Sequence, residues 1–437
     1  MNVARLYPPP SPPNATVAVP GSKSYTNRAL VTAALAAGAS ILTSVSSSTD
    51  SEAMVKALRL LGITITEGED PHGPTLTIEG QGGAFVPYHG EINVGAAGTT
   101  MRFLTALCAG IPGINLTLSG SDRMHARPIH ELVAALRLLG AEIDYLGEDG
   151  CPPLLIRSRN HLKGGTLSIN GSVSSQFISA LLLCSPLNTG PLSIEVEGEQ
   201  ISKPYIDMTI QSAGDFGVTI NNSAHKRYTV SVGQKYSPGT FRVEGDASGA
   251  SYLWGIAAIS GGTVTVENIN PQSAQGDIHF PELLARMGCG LSSRSRSITV
   301  RGSKSLKGID VDMSNMPDTA QTLAVVASCA HGSTVMRGLS TLRIKETDRI
   351  AAVRAELLSV GIKSECGPDY LVVHGGSPRA GRVKTYDDHR MAMSFAMLSS
   401  RVAGMEIEDP SVVNKSFPTF WETLKSCGIG VMMDPGI

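Results

Sequence analysis

The sequence predicts a mixed α/β protein of two domains, each built from three copies of one unit of about 73 residues. Two interleaved series of segments carry that prediction, and the composition supports it. The first series is an apolar helix, a glycine, then a β-rich stretch. VKALRLLGITI at 55–65 and VAALRLLGAEI at 133–143 are near copies, and looser versions recur to the end of the chain. Their glycines are Gly62, Gly140, Gly217, Gly288, Gly361 and Gly428. Glycine is expected where a helix ends in a left-handed residue, because a Cβ there is costly.

The second series opens helices. SKSYTNRAL, GTTMRFLTA, SSQFISALL, SGASYLWGI, DTAQTLAVV and HRMAMSFAM each place polar or charged residues before an apolar run. Their anchors are Ser24, Gly98, Ser174, Ser248, Asp318 and His389. Each unit therefore reads as strand, polar-headed helix, strands, second helix and Gly-capped return. A period this long exceeds the 20–50 residues of ordinary solenoids, so compact packing of a few units per domain is expected. Domain boundaries are expected at Pro20-Gly21 and at Glu244-Gly245-Asp246. This gives one domain at 21–244 and another formed by 1–20 with 245–437. No G-x-G-x-x-G follows a strand, which disfavours a dinucleotide-binding alternation.

Composition narrows the function. Lys plus Arg total 36 against 38 Asp plus Glu, a net charge of −2 that argues against a nucleic-acid binder. The uncharged stretches 29–49, 103–121 and 173–194 are each broken by Gly, Pro or Ser/Thr clusters before a membrane span accumulates. The N-terminus has neither a signal core nor a transit-peptide pattern. Seven dispersed Cys without a C-x-x-C read as reduced core thiols of a cytoplasmic protein. No metal-ligand spacing appears among the ten His.

The helix openings are where chemistry is expected, since a helix N-terminus offers unpaired N–H donors and a positive dipole end to anions. Lys23 and Arg28 edge an otherwise uncharged helix. NVGAAGTTMRFL adds a Gly-rich turn with Arg102, without the G-K-[ST] of a phosphate loop. Ser172, Ser174, Ser175 and Gln176 open the third helix; one cap explains one serine, not three. SKPYID adds Ser202, Lys203 and Tyr205. Lys345, Glu346, Asp348 and Arg349 crowd a further helix start, with Lys345 and Arg349 as an i, i+4 like-charge pair. Asp388, His389 and Arg390 follow one unit later. With Arg127 and Lys415 the cations form a set that suits small polyanions, and Asp318 and Glu346 are the acid–base candidates within it.

The motifs PGSKSYTNRAL, AAGTTMR, RPI, GSVSSQF, SKPYID, PDTAQT, RIKETDR, YDDHRMAM and KSFP run in order from about residue 20 to 418. In them the chain resembles the 5-enolpyruvylshikimate-3-phosphate synthase (3-phosphoshikimate 1-carboxyvinyltransferase) family. That resemblance implies an enolpyruvyl transferase fold, an inverse α/β barrel of two domains with three βαβαββ-type repeats each. It implies transfer of the enolpyruvyl group of phosphoenolpyruvate to the 5-hydroxyl of shikimate 3-phosphate, with no metal or organic cofactor. By the same resemblance Ser174, Ser175 and Ser202 hold the shikimate phosphate, and Ser24, Arg28, Asp318 and Lys345 hold its ring. Lys23, Gly98, Arg127, Gln176, Arg349, Arg390 and Lys415 match the phosphoenolpyruvate set. Asp318 is then the base, and Glu346 with Lys23 the proton donor. Closure of the two domains on the substrates is also expected.

Two positions depart from the family pattern: Thr341 stands where Asn is usual, and Phe103 where Pro often follows Met-Arg, beside the glyphosate-sensitive region. The implied partners are small molecules only, with no nucleic acid or membrane, and the enzyme is expected to be a monomer. The sister reaction on UDP-N-acetylglucosamine uses a Cys before the R-P motif, and SGSDRMHARPI has none. RNA 3′-phosphate processing lacks the basic, aromatic-interleaved stripe it requires. A non-catalytic phosphometabolite binder leaves Asp318 and Glu346 without a use.

Overall fold

The computed structural model describes residues 2–434. They fall into two compact units, residues 21–243 and residues 1–20 with 244–437. In the 21–243 unit the helices are α1 (Lys23–Leu35), α2 (Thr49–Leu60), α3 (Gly98–Gly110), α4 (Asp122–His125), α5 (His130–Leu138), α6 (Ser175–Cys184) and α7 (Lys203–Asp215). In the other unit they are α8 (Ala247–Ser260), α9 (Phe280–Arg286), α10 (Ala320–Ala327), α11 (Arg349–Ser359), α12 (His389–Ala396) and α13 (Phe420–Ser426).

Two kinds of helix alternate, and the sequence explains both. The helices α1, α3, α6, α8, α10 and α12 are almost wholly buried. They are apolar or small on every side because no side meets water. Their partners α2, α5, α7, α9, α11 and α13 bury one face and expose the other, with Leu60, Leu138 and Leu358 left at the solvent end.

The second kind shares one ending. Gly62, Gly140, Gly217, Gly288, Gly361 and Gly428 all have φ between 81° and 110°. In every case the next residue's N–H reaches back five residues, as in Ile63 to Leu58 at 3.0 Å, Val218 to Ala213 at 2.9 Å and Ile362 to Leu357 at 2.8 Å. That closes the last turn, and the paired side chains are apolar in all six copies, so each return is also a small core contact.

Among the described residues six four-stranded sheets accompany the helices, three to a unit, and in all of them one parallel pairing is followed by two antiparallel ones. Tyr88–Asn93 lies parallel to Ile114–Ser119, with α3 as the crossover between them. Ile114–Ser119 then pairs antiparallel with Leu154–Ser158, which pairs antiparallel with Glu142–Tyr145.

Two sheets are completed by an exchange. Asn14–Ala18 precedes α1 but pairs in parallel with Thr263–Glu267. Thr240–Arg242 precedes α8 but pairs in parallel with the strand Ala37–Thr43. The strand Val3–Tyr7 inserts antiparallel between Met405–Glu408 and Gly430–Asp434. Residues 2–20 thus belong to the 244–437 unit because their strands pair there.

Packing of strand ends on the buried helices requires glycine. A Cβ on Gly302 would lie 2.0 Å from the Ala257 carbonyl, and one on Gly375 2.0 Å from that of Ala330. Gly80 meets Ala33 and Ala36 in the same way. In the sheet of Leu154–Ser158 the corresponding residue is Ser158, whose hydroxyl donates to the Ala109 carbonyl at 3.0 Å. We predict that Gly302→Ala destabilises the fold by about 1–3 kcal/mol through overpacking. Gly214→Ala, in α7 with nothing within 4 Å of the added Cβ, should instead stabilise by roughly 0.5–1 kcal/mol. Urea unfolding followed by circular dichroism compares the two, and equal effects would refute the packing argument.

Candidate active site

In the 21–243 unit the N-terminal ends of α1, α3, α6 and α7 come together. Ser22 caps α1 and Ser174 caps α6, the latter accepting from Gln176 N–H at 3.2 Å. The Gln176 carboxamide donates to Thr99 Oγ1 at 3.3 Å, tying α6 to the start of α3. Arg28 is buried, yet all its acceptors are neutral. Nε donates to Thr209 Oγ1 at 2.8 Å, Nη1 to the Ser24 carbonyl at 3.0 Å, and Nη2 to the Tyr205 carbonyl at 2.7 Å and Ser179 Oγ at 3.4 Å. Burial pushes its pKa down to about 10, so it remains a cation at neutral pH without a carboxylate beside it. The Phe103 ring lies against this guanidinium, 5.5 Å from Cζ to the ring centroid. Phe103 is therefore a cation–π floor for Arg28.

Arg127 is the second buried cation without a carboxylate. Its Nε has no hydrogen-bond partner among the described residues. Its guanidinium sits against Gly98, so close that a Cβ on that glycine would fall 2.8 Å from both Nη1 and Nη2. A side chain at position 98 would occupy the space of the arginine, which is why the first residue of α3 has none. Lys23 is instead paired, with Nζ 3.0 Å from Asp50 Oδ2. Arg102 is buried and donates to the Pro128 carbonyl at 3.0 Å.

The serines divide. Ser172 is exposed and donates to Asn170 Oδ1 at 2.7 Å, so it belongs to a turn before α6. Ser175 is buried at the first position of α6. Ser202 is buried and holds a left-handed backbone, φ 53° and ψ 39°, just before α7. A serine in that region costs of order 1–3 kcal/mol.

In the 244–437 unit, charges of both signs interlock. Arg349 is the first residue of α11, fully buried, and three carboxylates surround it. Nε donates to Asp388 Oδ2 at 2.7 Å, Nη1 to Asp318 Oδ1 at 3.1 Å, and Nη2 to Glu346 Oε2 at 2.8 Å. The second oxygen of Asp318 accepts from Arg390 Nη2 at 2.9 Å, and Arg390 Nη1 reaches the Tyr252 hydroxyl at 3.2 Å. Lys415 Nζ lies 3.7 Å from Glu346 Oε1. Asp388 also caps α12, accepting from the Arg390 N–H at 2.8 Å. Although burial lowers it, the three carboxylates together hold the Arg349 pKa above its usual value.

Lys345 and Arg349 do not form the i, i+4 helical pair expected. The helix begins at Arg349, and Lys345 precedes it in the loop after the 3₁₀ turn Ser340–Ile344. Thr341 lies buried within that turn. His389 is buried behind Asp388, with Nδ1 3.5 Å from Asp388 Oδ1. Sequence reading missed Asp50 as the partner of Lys23, Thr209 and Ser179 as acceptors for Arg28, and Tyr252 beside Arg390. Only Asp50 left a trace, as an acid in the first turn of an amphipathic helix.

The EPSP synthase (3-phosphoshikimate 1-carboxyvinyltransferase) family model matches residues 8–424. The chain is 44% identical over 416 residues to a 3-phosphoshikimate 1-carboxyvinyltransferase of Shewanella amazonensis, covering 94% of this chain and 96% of that one. It is 43% identical over 419 residues to the enzyme of the same name from Cupriavidus necator, covering 93% and 95%. A solved EPSP synthase structure from Acinetobacter baumannii superposes with a TM-score of 0.83 at 27% identity over the whole of both chains. The fold, the order of the helix openings and these matches agree: the chain belongs to the EPSP synthase family, the transferases that move the enolpyruvyl group of phosphoenolpyruvate to shikimate 3-phosphate.

Proposed function

We propose that this chain performs its family's reaction with anion-holding residues at the helix openings of each unit, the acid–base residues Asp318 and Glu346 of the 244–437 unit, and Lys23 of the 21–243 unit. The observation that carries the reading is the pair of buried arginines, Arg28 and Arg127, without a carboxylate partner. A buried cation unmatched by an acid is expensive to keep, and an anionic ligand removes that cost. Ser174, Ser175 and Ser202 supply hydroxyls and helix N–H groups for the phosphate of shikimate 3-phosphate. Arg28, Ser24, Asp318 and Lys345 hold its ring. Lys23, Gln176, Arg127, Arg349, Arg390 and Lys415 hold the carboxylate and phosphate of phosphoenolpyruvate, with Gly98 leaving room for them.

The chemistry is an addition followed by an elimination. Asp318 takes the proton of the 5-hydroxyl as its oxygen attacks C2 of phosphoenolpyruvate. The methylene carbon C3 accepts a proton from Glu346, assisted by Lys23, giving a tetrahedral phosphate-bearing adduct. Return of a proton from the new methyl group to the Glu346 carboxylate then restores the double bond as the C2–O bond to phosphate breaks and phosphate leaves. Arg349 and Arg390 each bind one oxygen of Asp318, and a carboxylate has further lone pairs for the incoming proton. Arg349 and Lys415 fix Glu346 in the same manner. Forked guanidinium groups also orient two anionic substrates better than ammonium groups do.

The sister reaction on UDP-N-acetylglucosamine is not favoured. The relatives matched here are named for the shikimate substrate, and residues 119–129 contain no cysteine. No described helix is long and apolar enough to cross a membrane. The seven cysteines are unpaired and six are buried, which supports a reducing, cytoplasmic setting for a monomeric enzyme.

Release of inorganic phosphate should require both substrates together, and Glu346→Gln should lower kcat about 10²–10⁴-fold with an unchanged circular dichroism spectrum. Phosphate release from phosphoenolpyruvate and a UDP-sugar, but not with shikimate 3-phosphate, would overturn the assignment. Gly98→Ala should displace Arg127 and raise KM for phosphoenolpyruvate by roughly 10- to 100-fold, the worth of one charge-assisted hydrogen bond. KM for shikimate 3-phosphate should change far less. An equal rise in both would place Arg127 outside the phosphoenolpyruvate set.

A further inference from the structure

The N-terminal end of α8 holds a buried acid that the chemistry above does not use. The chain around residue 275 crosses this helix start and is bonded to it. Gln275 Oε1 accepts from Ala247 N–H at 3.1 Å, and Nε2 donates to the Gly245 carbonyl at 2.9 Å. Two residues on, Asp277 accepts a hydrogen bond through Oδ2 from the Ser248 hydroxyl. The other oxygen, Oδ1, is buried without any hydrogen-bond partner. No Lys, Arg or His is paired with Asp277 among the described residues. The groups that act on it are the acids Asp318 and Asp246, the Ser248 hydroxyl and the Arg390 guanidinium. Arg390 is already bonded to Asp318 and Tyr252, and Asp246 caps α8, accepting from Ser248 N–H at 2.9 Å.

An ionised Asp277 would therefore place a bare anionic oxygen in the core, next to two further acids, with one shared cation. A neutral acid avoids both the desolvation and the repulsion. We propose that Asp277 is a positioning residue that keeps a proton in the folded enzyme, so that it adds no further negative charge to those already acting on Arg390 and does not weaken that guanidinium's hold on an anionic substrate. The last clause rests on the assignment of Arg390 to phosphoenolpyruvate; the protonation itself does not. Burial first, and then the charge of Asp318, pushes the Asp277 carboxyl up to about 7 from an ordinary 3.8. The folded chain thus holds this proton more tightly than the unfolded chain between those values. Its contribution to stability is present below 3.8 and is lost as pH rises toward 7.

Infrared difference spectroscopy tests the protonation without any substrate. At a pH one unit below the Asp277 value, the wild-type enzyme should show the carbonyl stretch of a buried protonated carboxylic acid. The band should disappear as pH passes about 7, and Asp277→Asn should lack it. Ser248→Ala, which removes the hydroxyl on Oδ2, should shift its frequency and identifies the band should Asp277→Asn not accumulate. Across the same pH rise the stability of Asp277→Asn should gain on that of wild type. KM for phosphoenolpyruvate should climb through pH 7 in wild type but without that step in the variant. Absence of the band in wild type, or a band unaffected by both substitutions, overturns the proposal. A band that behaves as expected with identical KM profiles keeps the protonated acid and overturns its service to Arg390.

Discussion

A helix buried on every side has only its ends at which to be polar, and this constraint shapes the molecule. Six such helices recur, each headed by hydroxyls, amides or charges and followed by a run of Ala, Leu, Ile, Val, Met and Phe. The four N–H groups at a helix start have no partner inside the helix. With apolar walls around the body of each helix, donors and charged side chains collect where the chain enters it. Repetition sets several of these entrances side by side within a unit, so a surface rich in N–H donors, serines and arginines follows from packing before any chemistry is considered.

The two units then differ in how their arginines are balanced. In the 21–243 unit Arg28 meets hydroxyls, carbonyls and an aromatic face, and Arg127 meets a glycine. In the 244–437 unit Arg349 and Arg390 meet Asp318, Glu346 and Asp388. Buried ion pairs of the second kind add little net stability, because desolvation offsets the attraction, but removing one partner leaves an uncompensated charge. Such a knot fixes geometry more than it strengthens the fold. In the reaction proposed above, that fixed geometry is what Asp318 and Glu346 would require.

Much of this was legible in the sequence because it depends on local rules. The six glycines could be placed because a left-handed helix end nearly demands them, and all six have that backbone. The helix openings anchored at Gly98 and His389 are the first helical residues, and those at Ser24, Ser174 and Ser248 fall within a residue of a helix start. Asp318 lies instead in a 3₁₀ turn, Pro317–Thr319, ahead of α10. What stayed hidden depends on distance along the chain. Asp388 is 39 residues from Arg349, and Thr209 is 181 from Arg28. Neither Asn14–Ala18 nor the three-residue strand Thr240–Arg242 carries a pattern that says which sheet it joins. Asp277 was invisible for a related reason, since it sits in a four-residue 3₁₀ turn, its hydrogen-bond donor Ser248 is 29 residues away, and Asp318 and Arg390 come from other repeats.

The repeat also shows how one architecture yields two kinds of electrostatics. The backbone supplies the same device each time, a buried helix with its positive end in a shared region, and that device favours anions of any origin. Where the neighbouring side chains are serines, threonines and glycine, the missing negative charge is left for a ligand to supply. Where they are aspartate and glutamate, the protein supplies it, and the region becomes a place to hold and pass protons. The change from one to the other needs few substitutions, because the helix ends, the glycine returns and the sheet order stay as they are. Changing only the residues at the helix heads is enough to leave arginines without a carboxylate in one unit and to knot them with carboxylates in the other.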